Sequence, residues 1–357
     1  QAAYVEQRAH PPAPFVRGQR YPYPTGNSPR GANCLGDCGP VKAVPHAQTS
    51  RGQGHARVAT TAPGVNGLVD MGGNVWEWVD GGSGNDSLIG GTGNDLYLVR
   101  TTGDVVTEAA SAGTDTVRSY LSAYTLTANV ENGRIMNTGA ANMTGNSLGN
   151  LIEAGVGNNV INGGSGTDTV SYAVGVGSTG VKVSLATTAA QATGGSGSDT
   201  LIGIERLIGS QYADQLTGNT GANRLEGGAG NDTLSGGSGN DTLVGGAGKD
   251  AMTGGTGNDI FDFNALSELG LGSTTRDVIT DFTVGQDKID LSTIDARSTV
   301  SGDQAFTFVS SFTTTAGQVR YSGGIVYLNT DTDTAAEFEI QLTGTVPASL
   351  SASDFIL

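Results

Sequence analysis

Residues 227–262 read GGAGNDTLS, GGSGNDTLV, GGAGKDAMT and GGTGNDIFD, four nonapeptides in unbroken succession. Each has the form GGxGxDxUx, with U apolar. The phase extends backwards through GNTGANRLE (218–226) and GSQYADQLT (209–217). The sixth position is therefore Asp214, Asn223, Asp232, Asp241, Asp250 and Asp259. The eighth is Leu216, Leu225, Leu234, Leu243, Met252 and Phe261. Two further units, 81–89 and 90–98, place Asp86 and Asp95 at the sixth position. A weaker set has Asn150, Asn159 and Asp168 nine apart, and an isolated unit carries Asp199.

The spacing has a physical reading. The GGxGxD segment is too rich in glycine for a helix and suits a tight loop with positive φ. The xUx segment can form a very short strand with U pointing inward. If each loop reverses the chain, two nonapeptides complete one coil of eighteen residues. Loops at i and i+18 then stack on one edge, roughly 4.8 Å apart. Asp214, Asp232 and Asp250 line one edge; Asn223, Asp241 and Asp259 line the other. The eighth-position residues stack between two parallel sheets. No single unit can bury its own apolar residue, so several coils must form together. A flexible Gly/Ser/Asp linker would show neither a fixed period nor a phased apolar residue.

Carboxylates stacked at that spacing repel one another. A hard cation with oxygen ligands removes the conflict. Calcium accepts six to eight oxygens, including backbone carbonyls, and tolerates irregular geometry. Magnesium demands a strict octahedron and keeps its waters, so it fits less well. No His or Cys follows residue 55, which argues against zinc or copper in the acidic region.

The repeats resemble the repeats-in-toxin (RTX) calcium-binding family, and the resemblance implies an all-β fold, a parallel β-roll or β-solenoid. In that family, loop carbonyls and the sixth-position aspartates of facing loops share each calcium ion. Carried onto this chain, Asp232, Asp241, Asp250 and Asp259 are the strongest ligand candidates. Carbonyls of Gly228, Gly230, Gly237, Gly239, Gly246, Gly248, Gly255 and Gly257 join them. Asp86, Asp95, Asp168, Asp199 and Asp214 are further candidates for several calcium ions. Asn223, like Asn150 and Asn159, departs from Asp, and sites that use these residues are expected to be weak or empty.

Residues 276–291 (RDVITDFTVGQDKIDL) and the end of the chain (AGQVRYSGGIVYLNTDTDTAAEFEIQLTG, then SLSASDFIL) resemble the C-terminal region of serralysin-type metalloproteases. That resemblance implies a β-rich C-terminal cap, and Asp354-Phe355-Ile356-Leu357 fits a signal for type I export; an ordinary closing strand is the other reading. Between the repeat blocks, Asp104–Ala110, Thr114–Leu121 and Tyr124–Met136 read as strands, as do 169–187 and 200–208. These segments are expected to be solenoid coils without calcium loops. Asn329, Asp331 and Asp333 are spaced as in the start of an EF-hand, but Thr334 and Ile340 stand at its glycine and final-ligand positions, so no EF-hand is expected.

The first eighty residues differ in kind. Of ten prolines, nine lie within residues 11–63, and both cysteines, both tryptophans and all three histidines precede residue 79. Residues 67–78 (GLVDMGGNVWEW), with Ala32-Asn33-Cys34 and Cys38-Gly39, resemble formylglycine-generating-enzyme-like domains. By position, that family's structural calcium would take Asp70, Glu77 and the carbonyls of Gly73 and Val75. The family's redox cysteines lie downstream of this signature, in a segment absent here, so a short irregular remnant without oxidase activity is expected. Cys34 and Cys38 could be a disulfide, a metal pair or free thiols.

Composition agrees with the repeat reading. Glycine supplies 58 of 357 residues, more than twice the usual ~7%. The net charge is -16, from 34 acids and 18 bases, which speaks against a nucleic-acid partner. No apolar run is long enough for a transmembrane helix. There is no HExxH, and the GxSxG at 145–149 has no downstream His to complete a triad.

The chain therefore divides into an N-terminal remnant (1–79), a first repeat block (80–98), a solenoid spacer with degenerate repeats (99–208), the main roll (209–262) and a C-terminal cap with export signal (263–357). The expected function is calcium binding by a secreted, extracellular bacterial roll without a catalytic site, handled by type I secretion machinery. The alternatives are the carrier portion of a larger exported protease, lipase or epimerase, or an adhesion or matrix protein with a cell-surface ligand.

Overall fold

The loops turn where glycine alone is comfortable. Gly228 and Gly230 have φ of 106° and 131°, and Gly246 and Gly248 have 91° and 145°. A side chain is strained at such angles. In the computed structural model these loops connect short strands stacked in parallel sheets. The structure describes residues 57–58, 77–174, 177–297 and 300–357. The candidates Cys34, Cys38, Asp70, Gly73 and Val75 lie outside the described residues.

The chain forms two compact units. The first runs to Asn137 and includes residues 141–151 and 164–166; the second holds 138–140, 152–163 and 167–357.

In the second unit, one sheet stacks Thr169–Ser171, Arg206–Ile208, Arg224–Ala229, Thr242–Ala247, Ile260–Asp262, Lys288–Asp290 and Phe355–Ile356, all parallel. The other stacks Lys182–Ser184, Gln215–Thr217, Thr233–Ser238, Ala251–Thr256, Asp277–Ile279 and Phe338–Leu342, also parallel. Within the repeats the register is eighteen residues: Leu225 pairs with Leu243, and Leu234 with Met252. The eighth-position residues Leu216, Leu225, Leu234, Leu243, Met252 and Phe261 are all fully buried. Each such burial contributes about 1.5–3 kcal/mol, and none is available to a lone repeat.

The strands are longer than the sequence predicts. Thr233–Ser238 is TLSGGS, so pairing continues through the glycine pair, and Gly237 registers with Gly255. Glycine has no side chain to hold adjacent coils apart, which lets the ladder run into the loop.

After Asp259 the period breaks. An insertion with a 3-10 turn at Leu266–Glu268 comes before Asp277–Ile279, yet Met252 still pairs with Ile279. The cap then adds antiparallel Ile325–Asn329 and Gln318–Ser322 beside Phe338–Leu342. Arg276 meets Glu339 at 2.7 Å and holds Gln341 Oε1 through Nε and Nη2. Phe355–Ile356 forms a short strand: Phe355 pairs with Ile289, and buried Asp354 accepts the N–H groups of Gly285 and Ser351.

The first unit repeats the same plan with uneven spacing. Trp78–Asp80, Leu96–Val99, Thr116–Ser119 and Asn132–Ile135 are successive parallel strands, with register steps of 18, 20 and 16 residues. Arg57–Val58 pairs in parallel with Trp78–Val79. The predicted long strand Tyr124–Met136 is two, Ala123–Thr125 and Asn132–Ile135, separated by a turn in which Asn129 has φ of 66°. The other spacer strands are also shorter than predicted, because each coil must corner within a few residues. Ser147 of the GxSxG sits in a bend, where Asn146 Oδ1 accepts the N–H of Leu148.

Candidate metal centre

Each loop brings its aspartate to the same place. The sixth-position residue stands two residues before the buried apolar one, so strand pairing fixes its height in the stack. Asp232 Oδ1 accepts the backbone N–H of Asp214 at 2.7 Å, and Asp250 Oδ1 accepts that of Asp232 at 2.7 Å. On the other edge, Asp241 Oδ1 accepts the N–H of Asn223 at 2.8 Å, and Asp259 Oδ1 that of Asp241 at 2.9 Å. The predicted pair of aspartate ladders is therefore present.

The second carboxylate oxygen is the informative one. Oδ2 of Asp232, Asp241, Asp250 and Asp259 is buried and takes no hydrogen bond. These side chains are at most 1% exposed. Unpaired buried carboxylate oxygens are costly. Burial, opposed in part by the N–H each accepts, pushes Asp232 up to about 7 and both Asp250 and Asp259 to about 6. Asp250 and Asp214 add to the effect at Asp232. Burial also raises Asp241.

Glycine makes room for these oxygens. A Cβ on Gly236 would fall 2.3 Å from Asp241 Oδ2, and one on Gly245 would fall 2.5 Å from Asp250 Oδ2. Loop carbonyls crowd the same glycine-lined edges: a Cβ on Gly246 would lie 2.1 Å from Gly228 O, and one on Gly255 would lie 2.0 Å from Gly237 O. Anionic oxygens without donors, beside stacked carbonyls, form an oxygen-only set that fits a hard cation such as calcium.

Not every predicted ligand has this character. Asp214 is satisfied by protein donors: the N–H groups of Val181 and Ser210 and the Ser210 hydroxyl. Its repeat carries Ser where the four repeats of 227–262 carry the second glycine. Asp199 Oδ1 accepts the Asn159 N–H, and Oδ2 accepts the hydroxyls of Tyr172 and Thr193. Asn223 Oδ1 accepts the Asn219 N–H, while its Nδ2 donates to Glu205 O one coil earlier. Asn150 reaches the carbonyls of Val130 and Glu131 in the same way. The amide N–H thus spans a coil-to-coil gap without an ion.

Sequence reasoning missed several rungs. Asp277 Oδ1 accepts the Asp250 N–H, Asp287 Oδ1 that of Asp259, and Glu205 Oε2 that of Asp168. Burial pushes Asp277 up to about 8, and its Oδ2 takes no donor. Asp86 Oδ2 is likewise buried without a donor, and the Asp86 N–H reaches Asp104. Asp95 Oδ1 accepts the Glu77 N–H. Glu77 therefore stands on a ladder: GGNVWEWVD (72–80) is itself a nonapeptide, with Glu at the sixth position. The signal was an acid two residues before an inward apolar residue, even where the nine-residue count fails.

The comparisons with known proteins follow this geometry. The profile of the peptidase M10 serralysin C-terminal family matches residues 167–357, more than half of the chain. The chain belongs to the serralysin C-terminal family. Within this family member, the RTX calcium-binding nonapeptide repeat also matches at 71–98 and 144–176. The chain thus carries calcium-binding repeats of a type that binds several ions. The resemblance of residues 20–79 to formylglycine-generating enzymes is not supported; the repeat match begins inside that stretch, at residue 71. No curated full-length protein matches. Among solved structures, two modules of the Azotobacter vinelandii mannuronan C5-epimerase are similar, AlgE6R3 at 32% identity and AlgE6R2 at 31%. Each covers 41% of this chain, with 78% and 89% of the respective module matched, and each has a TM-score of 0.30. Among the described residues, no helix is long and apolar enough to cross a membrane.

Proposed function

We propose that this family member is an exported β-roll whose folding is driven by calcium held between its loops. The observation that carries the reading is the row of buried Oδ2 atoms on Asp232, Asp241, Asp250 and Asp259, none with a donor. A cation bound there turns a destabilising row into a stabilising one, so metal affinity becomes folding free energy. Asp232, Asp241, Asp250 and Asp259 are the carboxylate ligands in this reading, joined by carbonyls of the glycine loops. Circular dichroism of the full chain, recorded in millimolar calcium and after chelation, tests it. A weakened β signal and a lower melting temperature on chelation are expected; an unchanged spectrum and melt overturn the coupling.

A second reading places this chain as the carrier portion of a larger exported enzyme. The serralysin C-terminal match over 167–357 favours it, because that family is named for the end of a protease. Sequencing the reading frame upstream of Gln1 tests it: a catalytic domain there supports the carrier role.

A further inference from the structure

The first unit holds a buried acidic cluster that the nonapeptide pattern does not explain. Asp95, Glu108 and Asp115 each place one carboxylate oxygen within 4.8 Å of the others. All three are buried, at 2%, 8% and 0% exposure. Asp95 is the sixth residue of a repeat, but Glu108 and Asp115 come from the spacer.

The placement follows from the coil. Asp104 and Val106 occupy the sixth and eighth positions of their turn, so Glu108 stands where the next repeat would have its first glycine. In the main roll, a side chain at that glycine would run into the ladder aspartate's Oδ2, as at Gly236 and Asp241. Here the position carries a carboxylate, and it meets Asp115.

The protein's own donors cover only part of the cluster. Asp115 Oδ1 accepts the Asp95 N–H at 2.7 Å. Glu108 Oε1 accepts the Ala109 N–H at 2.9 Å, and Oε2 accepts the Tyr97 hydroxyl. Asp115 Oδ2 is enclosed and takes no donor. The negative charges of Glu108, Asp95 and Glu131 all act on Asp115. Oxygens that share one calcium ion lie no more than about 4.6–5.2 Å apart, and these three meet that limit.

We infer that Asp95, Glu108 and Asp115 form a further divalent-cation site of the calcium class, completed by spacer residues in place of a glycine loop. The site lies in the first compact unit and uses none of the main roll's aspartates. Its carboxylates supply the negative charge, and Tyr97 orients Glu108.

Calcium content of the full chain, measured after equilibration at fixed free calcium, tests this site. Glu108→Gln and Asp115→Asn should each lower the content by one ion per chain, with the calcium midpoint of the roll's circular dichroism unchanged. Equal content in wild type and both variants overturns the site. Wild type that takes up no calcium at all counts against the roll reading as well. Should the charge variants fail to fold, terbium luminescence decides. Tyr97 lies one carboxylate from the ion and should sensitise it, so Tyr97→Phe should remove a tyrosine-excited part of the emission. Equal emission from wild type and Tyr97→Phe overturns the proposal.

Discussion

The backbone N–H of Asp232 donates to Oδ1 of Asp250 at 2.7 Å, while Oδ2 of Asp250 takes no donor at all. One oxygen of each rung ties coil to coil, and the other is left for a cation. Each oxygen has a separate consequence.

Removing a ladder carboxylate should cost calcium. Asp241→Ala is expected to raise the calcium needed for folding at least about tenfold. Ser235→Ala lies in the neighbouring strand and supplies no carboxylate, so it should leave the titration unchanged. Calcium titrations followed by circular dichroism compare the two directly, and superimposable curves would remove Asp241 from the ligand set.

Asparagine should behave differently from alanine. Asn223 already bridges to Glu205 O through its amide. Asp241→Asn is therefore expected to weaken calcium binding yet leave the calcium-free chain more structured than wild type, since one buried unpaired anion is gone. Thermal melts in chelator should show the variant melting higher; a lower melt than wild type would contradict the amide-bridge account.

The calcium-free protein should lose stability as pH rises. Unfolded aspartates ionise near 3.8, whereas burial holds the proton on Asp232 to about 7 and on Asp277 to about 8. Between those values the folded chain binds more protons than the unfolded chain, so unfolding free energy falls with rising pH. The loss should run from about pH 4 to about pH 8 and then level off. Denaturant melts in chelator across that range measure it, and a rise in stability towards pH 8 would refute it.

The first glycine of a repeat should not tolerate a methyl group. A Cβ on Gly236 would lie 2.3 Å from Asp241 Oδ2 and 2.6 Å from Gly254 O. Gly236→Ala is expected to destabilise the calcium-loaded chain by about 1–3 kcal/mol. Denaturation in saturating calcium gives the value; a change below a few tenths would mean that the loop relaxes freely.

The Arg276–Glu339 pair should support the cap independently of calcium. Arg276 and Glu339 are each 13% exposed, and Arg276 also holds Gln341. Arg276→Met leaves Glu339 poorly compensated and should cost about 1–3 kcal/mol, equally with and without calcium. A loss seen only in chelator would place the pair inside the calcium response instead.

Much of this was legible in the residues. The nine-residue period alone implied the coil, the inward Leu, Met and Phe stack and the two aspartate edges, because strand alternation and glycine loops allow few other arrangements. What it could not show was which carboxylates lack donors. Asp214 and Asp232 look equivalent in sequence, yet Ser210 satisfies one while the other is left open. Nor could counting by nine find Asp287 or Glu205, since insertions of irregular length precede them and only strand register restores their place. Local spacing determined the loops and the core. Hydrogen-bond satisfaction and burial, which depend on residues a coil or more away, decided which of the acids are left for a cation.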